Sequence, residues 1–304
     1  MAASLAGGSC GMGSVNYGTL GDRGNVQAVR IVTLEAEPRV LELRGDDLAQ
    51  VNHGYGTTGI MTELEIPLAP VYDWGDRIIQ FDSFMAAARF GQALGDATGI
   101  VKKLISVFAW PIPRYFTALQ PYLGEGKAAV FAMVAESSLE PFETLVQAMG
   151  GSISYERSAA DSGKGTPLLE YTWNHTTLHA RNADPSLTYL QCLFPRDPDL
   201  VVLEQMYEQF GEEEVMVHLE FFRQGGELIP GALQLVRYTT EARLNQIIET
   251  LQAAGCFIPN PHKYTVEDGG SGQIDPAKVA FKAQVDPQGL LNPGKLRGWD
   301  ERLA

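Results

Sequence analysis

Two histidines one helical turn apart are the most concentrated chemistry in this sequence. His175 and His179 lie in a run of polar and aromatic residues that begins at Tyr171. On a helix, a spacing of four places both imidazoles on one face, where they could hold a metal ion. The glutamate of an HExxH zinc motif is missing, so a structural or substrate-lining role is the alternative.

Two more segments carry side chains that could bind a substrate or move a proton. Arg114 follows Pro111-Ile112-Pro113 and could pair with a carboxylate through two N–H groups. His262 begins a His-Lys-Tyr run after the longest predicted helix and could bind a carboxylate or accept a proton. The candidate catalytic residues are therefore His175, Tyr171, Arg114 and His262. For each of them, a packing or exposed-surface role is the alternative.

A cluster of glycines comes directly before a predicted strand. Gly54, Gly56 and Gly59 fall within six residues, and a strand is predicted over residues 60–66. Glycines at this density indicate backbone held close to a flat or bulky object, where a Cβ would collide. A tight loop entering an ordinary strand is the alternative. The alternating pattern places Ile60, Thr62, Leu64 and Ile66 on one face of the strand.

Composition limits the classes of function. The 304 residues are 45% hydrophobic and carry a net charge of -14, which argues against nucleic acid and anionic membranes as partners. Cys10, Cys192 and Cys256 are far apart in sequence and form no metal or disulfide framework. No apolar run approaches the ~20 residues of a membrane span, and the N-terminus has no basic signal region. A cytoplasmic protein acting on a small molecule is expected.

The elements that must position these residues follow from the hydrophobic pattern. A glycine-rich loop containing Gly11, Met12, Gly13 and Ser14 precedes a hairpin over 26–34 and 39–44. A short helix over 45–51, capped by Asp46 or Asp47, leads into the glycine cluster. Beyond Pro70, strands and helices alternate to about residue 285. This order predicts an α+β domain with an antiparallel sheet and helices on one face.

The end of the chain is a second distinctive run. A helix is predicted to stop at Asp286-Pro287, and a turn follows through Gly289 and Asn292-Pro293-Gly294. A plain Pro-Gly turn is the alternative interpretation.

Together these segments resemble the vanillyl-alcohol oxidase and p-cresol methylhydroxylase (PCMH) flavoprotein family, nearest to its glycolate-oxidase and D-lactate-dehydrogenase-like members. The resemblance is carried by the runs Gly11–Gly18, Gly56-x-x-Gly59-Ile60-x-Thr62-Glu63 and Asp286-Pro287-x-Gly289-x-Leu291-Asn292-Pro293-Gly294-Lys295. It implies FAD as cofactor and a partial PCMH-type FAD-binding domain joined to the cap domain. The cofactor-binding residues it implies are Gly11, Met12, Gly13, Ser14, Gly56, Gly59, Ile60 and Asn292.

The sequence also departs from that family. Relatives carry an upstream subdomain whose loop holds the FAD pyrophosphate, whereas six residues precede Gly7 here. The His-Gly-Asp-Gly-Asn run of some lactate- and glycolate-type relatives is absent. The expected division is residues 1–70 for the C-terminal half of the FAD-binding domain, 71–285 for the cap and 286–304 for a tail returning to the FAD.

Three functions remain open. The first is an FAD-dependent oxidoreductase, as a fragment, that transfers hydride from a small alcohol or hydroxy acid to flavin. The second is a non-catalytic subunit or fragment whose partner, an upstream polypeptide or a second copy, supplies the rest of the FAD site. The third is a metal-dependent hydrolase using His175 and His179.

Overall fold

The chain divides into two compact units. The computed structural model describes residues 2–8, 10–161, 163–165, 167–260 and 263–303. Unit 1 comprises Met1–Cys10, Tyr17–Pro70 and Pro259–Ala304, and unit 2 comprises Gly11–Asn16 and Val71–Ile258. Both ends of the chain therefore belong to unit 1. The expected division at residues 70 and 285 into FAD-binding and cap domains stays a prediction.

The described residues form eleven strands and ten α-helices. The strands are β1 (Ala28–Val32), β2 (Val40–Arg44), β3 (Ile60–Glu65), β4 (Trp74–Phe81), β5 (Lys102–Phe108), β6 (Ala128–Ala135), β7 (Ser152–Arg157), β8 (Leu187–Leu193), β9 (Val215–Met216), β10 (His218–Gln224) and β11 (Glu227–Arg237). The helices are α1 (Ala2–Ala6), α2 (Ser14–Tyr17), α3 (Phe84–Asp96), α4 (Leu139–Ala148), α5 (Asn174–Ala183), α6 (Val201–Glu214), α7 (Glu241–Ala253), α8 (Val266–Gly269), α9 (Pro276–Val285) and α10 (Arg297–Leu303). Short 3-10 helices cover Gly45–Gln50, Ile112–Tyr115, Thr117–Tyr122, Glu136–Ser138, Ala159–Asp161 and Leu168–Tyr171.

Unit 1 is built on a three-stranded antiparallel sheet in the order β2-β1-β3. Its inner face carries Val29 and Ile31 into a hydrophobic core that includes Phe281 and Val285 of α9. On the exposed face Arg30 lies opposite both Glu42 and Glu63 and forms ion pairs with them at 2.9 Å. The predicted hairpin is confirmed, and it packs against α9.

Two local predictions in unit 1 were wrong. A β-bulge at Thr62 interrupts the pairing of β3 with β1, so Met61 and Leu64 both pack against the core while Ile60 is half exposed. The predicted face shared by Ile60, Thr62, Leu64 and Ile66 therefore does not exist. The 3-10 helix Gly45–Gln50 has Arg44 at its N-cap and no capping side chain, so neither Asp46 nor Asp47 caps it.

Unit 2 contains an eight-stranded sheet formed from two halves of the same topology. The strand order is β7-β4-β6-β5-β10-β11-β8, with β9 paired to β11, and every pairing is antiparallel. The first half runs β4-α3-β5-β6-α4-β7, a strand-helix-strand-strand-helix-strand unit. The second half runs β8-α6-β10-β11-α7, and a bridge between Leu193 and Phe257 replaces its last strand. The two strand-helix-strand units predicted from sequence are therefore present.

The two faces of this sheet are covered differently. Helices α3, α4, α6 and α7 pack on one face around Phe90, Phe142 and Leu251. The other face carries Phe108 and Phe131, covered by α5 and the 3-10 helices at 112–122 and 168–171. The predicted α+β class with an antiparallel sheet is confirmed; α3, α4, α6 and α7 lie on one face as expected, and α5 also covers the other face. In the described parts of both units, no helix combines the length and apolar character needed to cross a membrane.

Helix α3 illustrates how local sequence fixes these elements. Ser83 accepts a hydrogen bond from the Ala86 N–H at the N-terminus, as expected of a capping serine. Phe84, Phe90 and Leu94 recur on its buried face. Gly91 and Gly95 allow close packing, since a Cβ at Gly91 would lie 2.5 Å from the Phe221 ring.

Candidate functional site

The glycine-rich turn before β3 has an unusual backbone. His53, Tyr55, Gly56 and Gly59 all have positive φ, at 52°, 49°, 69° and 105°. Positive φ is easy for glycine and costly for His53 and Tyr55, so other contacts must hold these two residues. The His53 N–H donates to the Leu5 carbonyl at 3.0 Å, and the Tyr55 N–H donates to the Ala6 carbonyl at 2.8 Å. The end of α1 therefore fixes the turn.

Both glycines of this turn are required by close approaches within unit 1. A Cβ on Gly56 would lie 2.9 Å from Nδ2 of Asn292, and one on Gly59 would lie 2.9 Å from Cδ1 of Ile31. The bulky neighbours inferred from the glycines are therefore, at these two atoms, protein side chains. Contact of Gly56, Gly59 and Ile60 with a flavin stays a prediction.

The C-terminal tail meets the glycine turn directly. Asn292 has a positive φ of 42°, and its side-chain amide donates to the Tyr55 carbonyl at 2.6 Å. The two segments singled out from opposite ends of the sequence are thus joined in space. Their proximity is the arrangement that the flavoprotein resemblance required.

A buried lysine locks this junction. Lys282 on α9 donates to the Thr57 carbonyl at 3.0 Å and to the Leu291 carbonyl at 3.1 Å. Its ammonium also contacts the Asp286 carboxylate at 2.7 Å, and both side chains are almost fully buried. Asp286 in turn accepts the N–H groups of Leu290 and Leu291, each at 2.9 Å. One ion pair therefore holds α9, the tail and the glycine turn in register.

The turn still carries unused hydrogen-bond donors. Among the described residues, the backbone N–H groups of Gly56, Thr58 and Gly59 have no hydrogen-bond partner, although Thr58 is only 2% exposed. Buried backbone N–H groups are nearly always paired, so the Thr58 amide points to a partner outside the chain, and the part-exposed Gly56 and Gly59 amides lie beside it. A group of amides in a turn is a recognised acceptor-binding concavity. This donor set fits a ligand with oxygen or ring-nitrogen acceptors, as a flavin nucleotide has.

A cationic and aromatic patch borders the turn within unit 1. The Lys295 ammonium lies 4.2 Å from the Tyr264 ring centroid and 5.6 Å from the Tyr55 ring centroid. Lys278 donates to the Asn52 carbonyl at 2.9 Å, and burial lowers the pKa of its ammonium. His53 stacks obliquely on Tyr55, and burial followed by the nearby Lys278 lowers the pKa of its imidazole. Positive charge therefore surrounds the turn.

The predicted N-terminal cofactor loop belongs to unit 2 and uses most of its own donors. The Gly13 N–H donates to the Lys103 carbonyl at 2.7 Å, the Ser14 N–H to the Gly11 carbonyl at 2.9 Å and the Gly11 N–H to Ser14 Oγ at 2.9 Å. Met12 is 42% exposed. Cofactor binding by Gly11, Met12, Gly13 and Ser14 stays a prediction, with support only from Met12 exposure and the open space at Gly11.

The histidine pair lies on helix α5, as the metal interpretation required, but one ring nitrogen of each histidine is engaged by Glu170. Nδ1 of His175 lies 3.0 Å from a Glu170 carboxylate oxygen, and Nε2 of His179 lies 3.0 Å from the Glu170 carbonyl. The His179 ring stacks on buried Tyr171 with centroids 4.7 Å apart. Within the described ranges, no group of three or more metal-ligating side chains comes together. The arrangement favours a structural role for His179 and Tyr171 over metal binding.

Arg114 is the other catalytic candidate that the structure describes. Arg114 lies over the Tyr115 ring, with its Nη2 3.2 Å from the Tyr115 hydroxyl. His262 lies outside the described residues. Tyr171 lies just before α5 and His175 lies in its first turn, and the 3-10 helix that carries Arg114 packs in the same hydrophobic cluster as Tyr171.

Solved structures with the same fold are known. Two crystal structures of alkyldihydroxyacetonephosphate synthase match 95% of this chain and 56% of their own chain, at TM-scores of 0.64 and 0.60 and identities of 14% and 13%. The chain, a mixed helix and antiparallel-sheet structure, is structurally similar to these PCMH-type FAD-binding proteins. It spans just over half the length of those synthase chains. No protein-family model matches the sequence, and no curated protein matches it.

The sequence analysis did not indicate that Lys282, Asp286 and Glu220 are buried charges. Lys282 and Asp286 were detectable as an i,i+4 pair at the end of an apolar helix. Glu220 interrupts the apolar run 215–222, and it accepts hydrogen bonds from Ser106 Oγ at 2.6 Å and the Trp173 N–H at 2.6 Å. His218 Nε2 lies 2.9 Å from the same carboxylate. A charge within an apolar run was the available signal.

Proposed function

We propose that this chain forms the glycine turn, the C-terminal tail and the cap of an FAD-dependent oxidoreductase acting on a small alcohol or hydroxy acid. One observation carries the proposal. The amides of Gly56, Thr58 and Gly59 are unpaired in a turn that Asn292 and Lys282 hold rigid. The PCMH-type fold agrees with this assignment of the turn.

FAD, when bound, supplies the two-electron acceptor for the hydrogen removed from the substrate carbon. The chain's own part at the turn is to donate hydrogen bonds from Gly56, Thr58 and Gly59 to the ligand's acceptor atoms. Asn292 keeps the turn in place through the Tyr55 carbonyl. Ile60, which is 50% exposed, offers an apolar surface beside those donors.

His175 is the strongest candidate in unit 2 for moving a proton. The Glu170 carboxylate 3.0 Å from Nδ1 favours the tautomer that carries its proton on Nδ1, which leaves Nε2 as a base. The side chain is 46% exposed, so a substrate hydroxyl can reach it. Glu170 would also stabilise the imidazolium formed when Nε2 accepts the proton. Tyr171 and Arg114 remain candidates for substrate positioning.

A second form of the proposal concerns which polypeptide completes the FAD site. The solved synthase chains extend well beyond the part matched here, since only 56% of their length is covered. A partner chain or further segment would then supply the remaining FAD contacts, as the resemblance implies. The name of those proteins denotes a synthase, so the reaction itself is also open to test.

The test is flavin binding by the purified chain. FAD fluorescence titration of the wild type and of Gly59→Ala separates the outcomes, with Gly24→Ala as control because Gly24 also has positive φ but an open surrounding. We expect FAD fluorescence to change on binding to wild type and Gly24→Ala, with weaker binding to Gly59→Ala. No binding by the chain alone, with binding restored by a co-expressed upstream polypeptide, identifies the partner form.

The substrate class is tested on the flavin-loaded protein. Small alcohols and hydroxy acids should bleach the oxidised flavin absorbance under anaerobic conditions, and His175→Ala should slow the bleaching without reducing flavin content. If FAD binds to neither the chain nor the co-expressed pair, the proposal fails. Elemental analysis of the same protein tests the metal hydrolase. Among the described residues, His175 and His179 are not joined by a third metal-ligating side chain.

A further inference from the structure

A cavity of about 290 Å³ opens in unit 2, away from the histidine pair. It is lined by Tyr72, Asp73, Trp74, Asp76, Lys103, Met133, Arg157 and Ala159. Five of these residues lie on strands β4, β5, β6 and β7, and the other three lie just before β4 or just after β7. The volume is at the small end of the range for ligand pockets.

A β-bulge aims a lysine into this cavity. Lys102 pairs with Val134 and Leu104 pairs with Met133, so Lys103 has no partner opposite it on β6. A bulge re-aims the side chain of the extra residue, which here reaches the pocket. The Lys103 ammonium lies 4.6 Å from the Trp74 ring centroid. Among the described residues it makes no hydrogen bond, so its three donors are available.

Two of the other charges of the cavity, Asp76 and Arg157, are paired with each other. Asp76, which is 2% exposed, forms an ion pair with Arg157, and the Arg157 guanidinium also donates to the Lys164 carbonyl at 2.9 Å. Asp73 is exposed at the rim. Among the described lining residues, Lys103 forms no ion pair, and the Asp73 carboxylate at the rim carries the opposite charge. Burial lowers the pKa of the Lys103 ammonium, whereas the Asp76 charge acts in the opposite direction.

The walls beside the ammonium are flat and apolar. The Tyr72 and Trp74 rings meet edge to face with centroids 5.4 Å apart, and Met133 lies on the adjacent strand. Aromatic faces and a methionine thioether accept a planar hydrocarbon group. A ligand that satisfies both features has one anionic end and one flat apolar end.

We propose that this cavity binds a small organic carboxylate with a planar apolar body, its carboxylate on the Lys103 ammonium and its body against Trp74 and Met133. The site requires only residues of unit 2 and goes beyond the proposed flavin chemistry. It holds with or without a bound flavin.

Isothermal titration with sodium benzoate tests the site. We expect benzoate to bind the wild type and to bind Lys103→Met about ten-fold or more weakly, because a hydrogen-bonded charge pair is lost. Lys103→Arg should retain most of the affinity. Lys127→Met is the matched control, since Lys127 is exposed in the same unit and pairs with exposed Asp82; it should bind as the wild type does.

Two further titrations identify the ligand class. Acetate should bind more weakly than benzoate, because it lacks the planar body, and inorganic phosphate should not displace benzoate. The proposal is overturned if benzoate does not bind, if Lys103→Met binds it like the wild type, or if phosphate binds more tightly than benzoate. Circular dichroism confirms that the variants fold. Because the readout is benzoate heat, a failure of flavin binding leaves this result unaffected.

Discussion

Lys282 in the last turn of α9 and Asp286 directly after that helix form a buried ion pair, with Nζ 2.7 Å from Oδ2. The same ammonium binds the Thr57 carbonyl, and the same carboxylate binds the Leu290 and Leu291 amides. Removing one charge of such a pair leaves the other buried and uncompensated, which is far costlier than loss of an exposed pair. This pair therefore supports the junction of α9, the C-terminal tail and the glycine turn.

Asp286→Asn should lower the free energy of unfolding by about 3 kcal/mol, because Lys282 would stay charged and buried. Urea denaturation measures the change. Glu63→Gln is the matched control, since it breaks an ion pair with Arg30 that is largely exposed. Its effect should stay below about 1 kcal/mol. Equal losses in the two variants would show that the buried pair contributes no more than a surface pair.

The same pair predicts an acid dependence. Burial alone would raise the pKa of Asp286, but Lys282 and the amides of Leu291 and Leu290 together hold it below the ordinary value. Its stabilising effect is therefore complete above the unfolded-state pKa of about 3.9 and is lost as pH falls through the lower folded-state pKa. The urea midpoints of wild type and Asp286→Asn should converge below about pH 4. A gap that stays constant on acidification would contradict this role.

Gly59 and Gly24 form a natural comparison, because both have positive φ, at 105° and 97°. A Cβ at Gly59 would lie 2.9 Å from Ile31, whereas none of the surrounding atoms lies within 4 Å at Gly24. Alanine at either position should cost about 1–2 kcal/mol for the backbone. Gly59→Ala should cost about 1 kcal/mol more for overpacking. Urea unfolding of both variants measures the difference, and equal values would mean that Ile31 yields freely.

Replacing the buried Glu220 of unit 2 should lower the free energy of unfolding. Glu220→Ala leaves Ser106 Oγ and the Trp173 N–H without their acceptor, and Trp173 has a positive φ of 52° that this bond helps to hold. The loss should be about 3 kcal/mol in the free energy of unfolding. Glu227→Ala, which breaks an exposed pair with Arg196, is the control. A double-mutant cycle with Ser106→Ala tests the hydrogen bond between the two side chains. If the losses in unfolding free energy of the single variants add up to that of the double variant, the side chains are not coupled.

Lys102 predicts that stability rises with pH in the alkaline range. Burial, followed by the charge of Arg223, lowers the pKa of Lys102 to about 8. The unfolded chain then binds more protons than the folded chain between about pH 8 and 10.4, so stability rises with pH in that window. Lys102→Met should lack this rise. Unfolding free energies of both proteins measured across the window test it, and parallel pH profiles would show that the lysine is not desolvated.

The local elements were largely readable from the sequence. Ser83 before an apolar periodic run marks the start of α3, and the helical spacing of His175 and His179 matches α5. These features depend on neighbours within a few residues, so composition and spacing determine them. The bulge at Thr62 was not readable, because it depends on how β3 meets β1.

Pairs of distant residues needed the tertiary structure. Cys192 and Cys256, separated in sequence, lie in the same core, and burial raises the pKa of the Cys192 thiol. Glu170 engages one ring nitrogen of each histidine, a contact that the local spacing did not indicate. Lys103 lines a cavity at the position where β5 bulges, which the local sequence did not indicate.

The sequence by itself determined that dense glycines and an Asn-Pro turn stand at the two ends of the chain, because these residue types fix local backbone. It also determined the α+β class, since strand and helix periodicity alternate along the middle. Only the tertiary structure decided that Asn292 reaches the Tyr55 carbonyl and that Lys282 is buried beneath Thr57. Those contacts join segments more than two hundred residues apart, and only packing of the folded core brings such segments together.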